Sequence, residues 1–278
     1  MTTSINTNVA AIKARSNLDR VQRDMDTSIA RLSTGKRITR AHDDAAGSAI
    51  AGRMESQIRG LSMGIRHAKD GQALADTAEG ALQEVTALLQ RMRELAVQAG
   101  SGTATNTDKD YMQLEMGKLV DEIDHISDTT RFNDTRVLTG ATFTFYTDID
   151  VAGTAITTVE LSAAATNIGV AKANVSIGSG TSTNALLQAV ITRVDNAIAS
   201  VASFRANLGA VSNRFDHIVD NLTNVVANTE SAKSRVEDAD FAIETTQLTR
   251  NTVLQQAATS MVAQANASKN TILALIQG

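Results

Sequence analysis

From Leu187 to Val225, apolar residues recur at alternating steps of three and four. The run is Leu187, Val190, Val194, Ala197, Val201, Phe204, Leu208, Val211, Phe215, Ile218, Leu222 and Val225. A period of 3.5 places all of them on one helical stripe and winds such a helix left-handed around a partner. A weaker continuation runs through Thr229, Ala232, Val236, Ala239 and Ile243. At 1.5 Å per residue the whole stretch predicts a rod on the order of 80 Å. A compact globule cannot cover so long a stripe, so the chain must supply other long helices to meet it. Composition permits this. The chain has no Pro, where about 5% is ordinary, so nothing forces a helix to break.

The first half carries candidate partners. Ile50, Met54, Ile58, Leu61 and Ile65 make one stripe. After a phase slip, Ala75, Ala78, Leu82, Val85, Leu89, Met92 and Ala96 resume the 3,4 spacing. The segment Gly100–Thr107 (GSGTATNT) stops that helix, and Thr107 with Asp110 reads as a capping box opening the next. Met112, Met116, Leu119, Ile123 and Ile126 then repeat the pattern. Thr183 or Asn184 is placed to cap the long C-terminal run. Between the two helical halves, residues 137–182 change character. TFTFYTDIDV and TAITTVELS alternate with period two around Gly153, which predicts a β-hairpin. The Gly/Ser/Thr/Asn-rich stretch that follows reads as loop. The expected fold is therefore mainly α, an elongated rod of long heptad-patterned helices from both chain ends, with a small β-hairpin insertion near the middle and the two termini together.

Several chemistries are missing. With no Cys, there are no disulfides, thiolate metal sites or thiol nucleophiles. His42, His67, His125 and His217 stand apart from any H-E-x-x-H pattern and suit solvated helix faces. Gly35-Lys36 lacks the earlier Gly and the following Ser/Thr of a P-loop. Asp43-Asp44 and Asp238/Asp240 lack a calcium-loop Gly and suit helix ends. No enzyme, cofactor or metal is expected. Residues 1–40 carry eight Lys/Arg against three Asp, but no interleaved aromatics, so nucleic acid is not expected. No run reaches the roughly 18 apolar residues of a membrane span, and no signal peptide opens the chain.

Two arms of the sequence resemble bacterial flagellin. The N-terminal arm carries SINTNVAA (Ser4–Ala11), ARLSTGKRITRAHDDAAGSAIA (Ala30–Ala51) and DGQALADTAEGALQEVTALLQRMRELAVQA (Asp70–Ala99). The C-terminal arm carries LGAVSNRFDHIVDNL (Leu208–Leu222), SRVEDADFAIET (Ser234–Thr245) and LQQAATSMVAQAN (Leu254–Asn266). The resemblance covers roughly 1–140 and 183–278, while 141–182 resembles nothing specific. It implies a structural subunit that self-assembles into the flagellar filament for motility. It implies export, unfolded, by the flagellar type III system to an extracellular location. Implied partners are further copies of the chain, an export chaperone, and cap and hook-associated proteins. The hook–filament junction protein is the alternative.

The resemblance also divides the chain. Residues 1–45 become the N-terminal helix of an inner coiled-coil domain. Residues 46–182 become rod-domain helices plus the insertion. Residues 183–232 become the C-terminal rod helix, and 233–278 the C-terminal inner helix. Polymerisation residues follow from the apolar stripes of the two ends. These are Ile5, Val9 and Ile12 in one phase, then Leu18, Val21, Met25 and Leu32 in another. At the C-terminus they are Leu254, Ala258, Met261, Ala265, Ile272 and Leu275. Narrow seams like these have little stability alone and gain it by covering one another and neighbouring subunits. The last 28 residues, from Asn251, hold one charged side chain, Lys269, as suits a helix covered on most sides. By the same resemblance, Arg91, Leu95, Gln98 and Glu115 match the contacts of flagellins recognised by the host Toll-like receptor 5. Read as residues alone, Arg91 and Glu94 form a surface pair on a solvated face. One departure stands in RFNDTRVL, where the family commonly has Gly after Asn133 and this chain has Asp134. Either Asp134 or Asn133 then has to take the left-handed backbone position.

Overall fold

A computed structural model of the chain describes residues 7–147, 155–157, 163–178 and 184–277, and side chains except those of 155–157 and 269–277. The elements in chain order are α1 (Val9–Thr34), α2 (Ala45–Ala99), α3 (Asn106–Thr129), β1 (Arg131–Phe132) and β2 (Thr135–Arg136). They continue with β3 (Thr144–Tyr146), β4 (Ala155–Thr157), α4 (Asn184–Glu237) and α5 (Phe241–Gln277). The fold is mainly α, with β3 and β4 as an antiparallel hairpin in the insertion, Phe145 opposite Ile156. Two compact units result: Met1–Ser56 with Asn228–Gly278, and Gln57–Ala227.

In the first unit, α1 and α5 pair antiparallel. Asn8 lies beside Ala265, donating its amide to that carbonyl at 3.0 Å. Gln255 donates to Gln22 at 2.6 Å, and Arg31 meets Glu244 at 2.9 Å. Asn8 thus sits at the same end of the pair as Ala265, and it caps α1 by accepting from the Ala11 N–H. At the other end Gly35 takes φ 71° and donates to the Arg31 carbonyl, a left-handed stop. A helix through to residue 45, expected from the sequence, is therefore replaced by a helix ending at Thr34 and a loop. Likewise α4 continues to Glu237 and breaks at Asp238–Asp240, beyond the expected boundary at 232. Asp44 and Asp240 each accept from backbone N–H groups of the helix that follows, Gly47 at 2.8 Å and Ala242 at 2.8 Å. Their helix-end role is what the sequence predicts. The two breaks are tied together. Arg37 N–H and Ile38 N–H both donate to the Glu237 carbonyl, and Ala239 N–H donates to the Gly35 carbonyl at 2.9 Å. Lys36 pairs with Glu237 at 2.6 Å, and Lys233 with Glu55.

The second unit holds the main core. Leu74, Ala78, Leu82, Val85, Leu89, Met92 and Ala96 of α2 face Met112, Met116, Val120 and Ile123 of α3. Leu187, Val190, Val194, Ala197, Val201 and Leu208 of α4 complete the three-helix layer. One 18-residue window of α4 reaches a mean hydropathy of 1.2, the value of a helix that gives a full stripe to this core. Further along, the Phe215 ring rests on Ala68 and on Gly71, where an added Cβ would lie 2.5 Å from the ring. Phe145 of β3 meets Phe215 edge-on, centroids 5.7 Å apart.

Three local readings change. The capping box that opens α3 is Thr105 with Asp108, two residues before the expected Thr107 and Asp110. Thr105 Oγ1 accepts from Asp108 N–H, and the Asp108 carboxylate accepts from Thr105 N–H and hydroxyl. Those bonds hold the Asp108 carboxyl below its usual range, the Thr105 side chain first. Next, Asn133 and Asp134 both have positive φ, 47° and 66°, so both take the left-handed position and close the unforeseen β1–β2 hairpin. Last, the expected loop is present, but about half of its described residues are buried. Ala163, Ala165, Val170, Val175 and Ile177 are buried against the helices. Polar backbone is satisfied as it passes: Asp124 accepts from Ala165 N–H at 2.8 Å, and Gln113 from Ile177 N–H. Thr183, one candidate cap of α4, lies outside the described residues, and Asn184 is that helix's first residue.

Candidate assembly surfaces

Along α1 the least exposed positions are Ala11, Ala14, Leu18, Val21, Met25, Ser28 and Leu32, a strict 3,4 seam. Along α5 they are Glu244, Leu248, Asn251, Gln255, Ala258, Val262 and Ala265, again 3,4. The α1–α5 seam therefore differs from the one the apolar residues predict. Leu18, Val21, Met25 and Leu32, with Ala258 and Ala265, lie on it and are covered within the chain. Val9, Ile12, Leu254 and Met261 do not, and are exposed, Met261 by 63%. The reason is chemical. Alanines on α1 and amides on α5 allow close approach and pair through Gln22–Gln255 and Arg31–Glu244. Other bulky side chains, among them Val9, Ile12, Leu254 and Met261, are turned outward. Ile29, Phe241, Ile243 and Val253 join them there. Ile5 lies outside the described residues, as do the side chains of Ile272 and Leu275.

Polar chemistry concentrates at the Gly35 end of this seam. Glu244 is buried, and its second carboxylate oxygen and the Arg31 Nε make no hydrogen bond. A buried acceptor and donor left this way each cost about 1–3 kcal/mol.

On the second unit, Arg91 bridges Glu115 of α3 at 2.8 Å and Glu94 at 3.1 Å. Glu115, then Glu94, raises the Arg91 guanidinium above its ordinary range. Gln98 and Glu115 are exposed beside it. Leu95 is not. At 1% exposure it is a core residue of α2, so the four matched positions form a surface of three polar residues over a buried leucine. Its burial follows the helical spacing: Leu95 sits three after Met92 and seven after Leu88, on the packing face of α2.

Titratable groups elsewhere have structural work. His67 Nδ1 lies 2.9 Å from the Tyr146 carbonyl, and His42 lies 3.3 Å from Asp43. Asp43 itself accepts from Arg40 N–H and from the Thr39 hydroxyl and N–H, which holds its carboxyl below the usual range, Arg40 first. Among the described residues, no three His, Cys, Asp or Glu converge as metal ligands.

Comparison with known proteins matches this architecture. Residues 5–142 match the bacterial flagellin N-terminal helical region, and residues 191–276 the bacterial flagellin C-terminal helical region. The chain is 38% identical over 278 residues to flagellin of Halalkalibacterium halodurans, across 98% of this chain and 99% of that one. It is 36% identical over 317 residues to flagellin of Xenorhabdus nematophila, across 100% of both. A solved protein described as flagellar hook-associated, from Vibrio parahaemolyticus, aligns with a TM-score of 0.57 over 70% of this chain and 100% of that one. At 13% identity that likeness shows the fold alone. Full-length similarity to flagellins favours the filament subunit over the junction protein. The chain belongs to the bacterial flagellin family, the structural subunits of the extracellular filament of the bacterial flagellum.

Proposed function

We propose that this chain assembles with copies of itself through the first unit, after export in an unfolded state by the flagellar type III system. One observation carries the reading. Pairing of α1 with α5 turns large apolar side chains outward, among them Val9, Ile12, Phe241, Ile243, Val253, Leu254 and Met261. Large apolar side chains left exposed along both helices of the pair suit burial against further copies. In this reading the first unit is the inner coiled-coil domain and the second unit the rod domain. The α5 helix lines the channel on the face that neighbours leave open. An export chaperone covers the apolar surface before export, and cap and hook-associated proteins meet it at the filament ends.

Deletion of residues 259–278 tests the assembly role. The truncated chain stays soluble and helical but forms no sedimenting filaments. Normal filaments in negative stain would show that the C-terminal helix is dispensable. Loss of secretion in cells lacking the type III apparatus tests the export route.

The surface of Arg91, Gln98 and Glu115 is also the proposed contact for host Toll-like receptor 5, with Leu95 holding α2 in place beneath it. Arg91→Ala lowers receptor activation by the monomer. Unchanged activation removes the assignment.

A further inference from the structure

Two features of the second unit remain after its core is accounted for. One is a ridge on α3, Tyr111 and Leu114, three residues apart and so on one helical face. At 69% and 68% exposure they are the most exposed large apolar side chains among the described residues. Asp108, Asp110 and Glu115 stand around them on α3, with Glu115 paired to Arg91 and Lys118 one turn beyond Leu114. The other is an open groove of about 670 Å³ along α4, lined by Thr147, Ala210, Arg214, His217, Ile218 and Leu222 among others. Its walls are mostly apolar. Neither Arg214 nor His217 forms a hydrogen bond or ion pair with another described residue.

Ridge and groove cannot meet within one chain. The ridge is level with Arg91, which reaches Glu115. The groove is level with Gln72, which reaches Asp216. The stretch of α2 between those levels spans roughly 28 Å at the helical rise.

We propose that the Tyr111–Leu114 ridge of one copy of this chain seats in the Ala210–Leu222 groove of a second copy. This rests on the self-assembly reading above and names the contact that the second unit adds to it. Apolar ridge meets apolar groove, while carboxylates flank the ridge and Arg214 and His217 flank the groove. The ridge carboxylates and the Arg214 guanidinium carry opposite signs, which favours this pairing of the two patches. Because the two patches differ, the contact is head-to-tail. Each added copy leaves one ridge and one groove unfilled, so the contact propagates and does not close as a dimer. The separation of ridge from groove sets the offset between the copies it joins, roughly 28 Å along the helices.

The chain has no cysteine, so engineered thiols report only the contacts they are placed to test. Leu114→Cys is combined with Ala210→Cys or, as a second groove position, with His217→Cys. The protein is assembled, oxidised with copper phenanthroline and resolved without reductant. A ladder extending beyond dimers is expected from either groove pair. Each single variant gives at most dimers. Leu114→Cys with Gln188→Cys, an exposed α4 position roughly 33 Å before Ala210 at the helical rise, gives no ladder. In parallel, Tyr111→Ala with Leu114→Ser lowers the sedimenting fraction at fixed concentration at least tenfold, with helicity unchanged. If both groove pairs give no ladder while filaments sediment normally, the ridge–groove contact is wrong and self-assembly stands. A ladder from the Gln188 pair equal to that of the groove pairs overturns the contact as well. Failure of the unmodified chain to sediment overturns the self-assembly reading, and the contact with it.

Discussion

Asp134→Gly should stabilise the chain, and the β1–β2 turn allows the size to be worked out. Two adjacent residues hold positive φ, Asn133 at 47° and Asp134 at 66°. An L-residue in that region costs about 1–2 kcal/mol, less for Asn and Asp. Gly removes the strain but loses more chain entropy on folding, about 0.5–1 kcal/mol where the strain is absent. The Arg131–Asp134 contact at 3.4 Å is lost too, but with the Asp134 side chain 96% exposed it contributes nothing measurable. The balance favours Gly by about 0.5 kcal/mol. Asp134→Ala, which keeps a Cβ and loses the local hydrogen-bonding of Asp, should cost about 1 kcal/mol. Urea unfolding followed by circular dichroism orders the three as Gly, Asp, Ala from most to least stable. With a slope of about 2–3 kcal/mol/M, the Gly–Ala midpoint difference is about 0.5 M. If Gly and Ala behave alike, the left-handed backbone at Asp134 does not govern this turn.

Other sites give sharper losses. Gly71→Ala drives a Cβ against the Phe215 ring, so it should destabilise the second unit by about 1–3 kcal/mol, read as a lower melting temperature. Glu244→Ala strands Arg31 at a partly covered site. It should loosen the α1–α5 pair by about 1–3 kcal/mol, seen as faster amide exchange in both helices with α3 unchanged. Thr105→Ala removes the α3 cap and with it the bonds that depress the Asp108 carboxyl. A depressed folded value means that the cap's contribution is complete above the ordinary Asp range near pH 4 and fades as pH falls through the lower folded value. Helicity curves of wild type and Thr105→Ala should therefore differ at neutral pH and converge in acid.

The helices of the second unit were legible because their packing is done by side chains that announce it. Leu82, Leu89 and Met92 lie where 3,4 spacing puts them. The first unit was less legible. Its seam uses Leu18, Val21, Met25 and Leu32, which the apolar pattern selects, together with Ala11, Ala14, Gln255 and Asn251, which it does not, while Leu254 and Met261 advertise a stripe that faces away. A chain whose complete environment includes other copies displays two patterns at once, and sequence alone does not say which is internal. The capping box was placed two residues late because Thr105–Asp108 and Thr107–Asp110 have the same spacing. What distinguishes them is how early the first turn forms. Leu95 belongs to the α2 packing face by its spacing and to a contact surface only by resemblance, and its burial follows the spacing. The buried segment from Ala163 to Ile177 hid behind its Gly, Ser and Asn content, although Val170, Val175 and Ile177 carried a signal.

The tie between the two helix breaks bears on how such a chain can vary over evolution. Its central bonds run from Arg37, Ile38 and Ala239 backbone N–H groups to the Glu237 and Gly35 carbonyls. Nineteen of the twenty amino acids bring the same donor to those positions, and only proline does not. Side chains at 37, 38, 237 and 239 can drift without undoing the junction, and the ion pairs around it can be exchanged or lost, while Gly35 is held by its φ of 71°. The junction is thus buffered against substitution in a way that the amide-lined seam beside it is not.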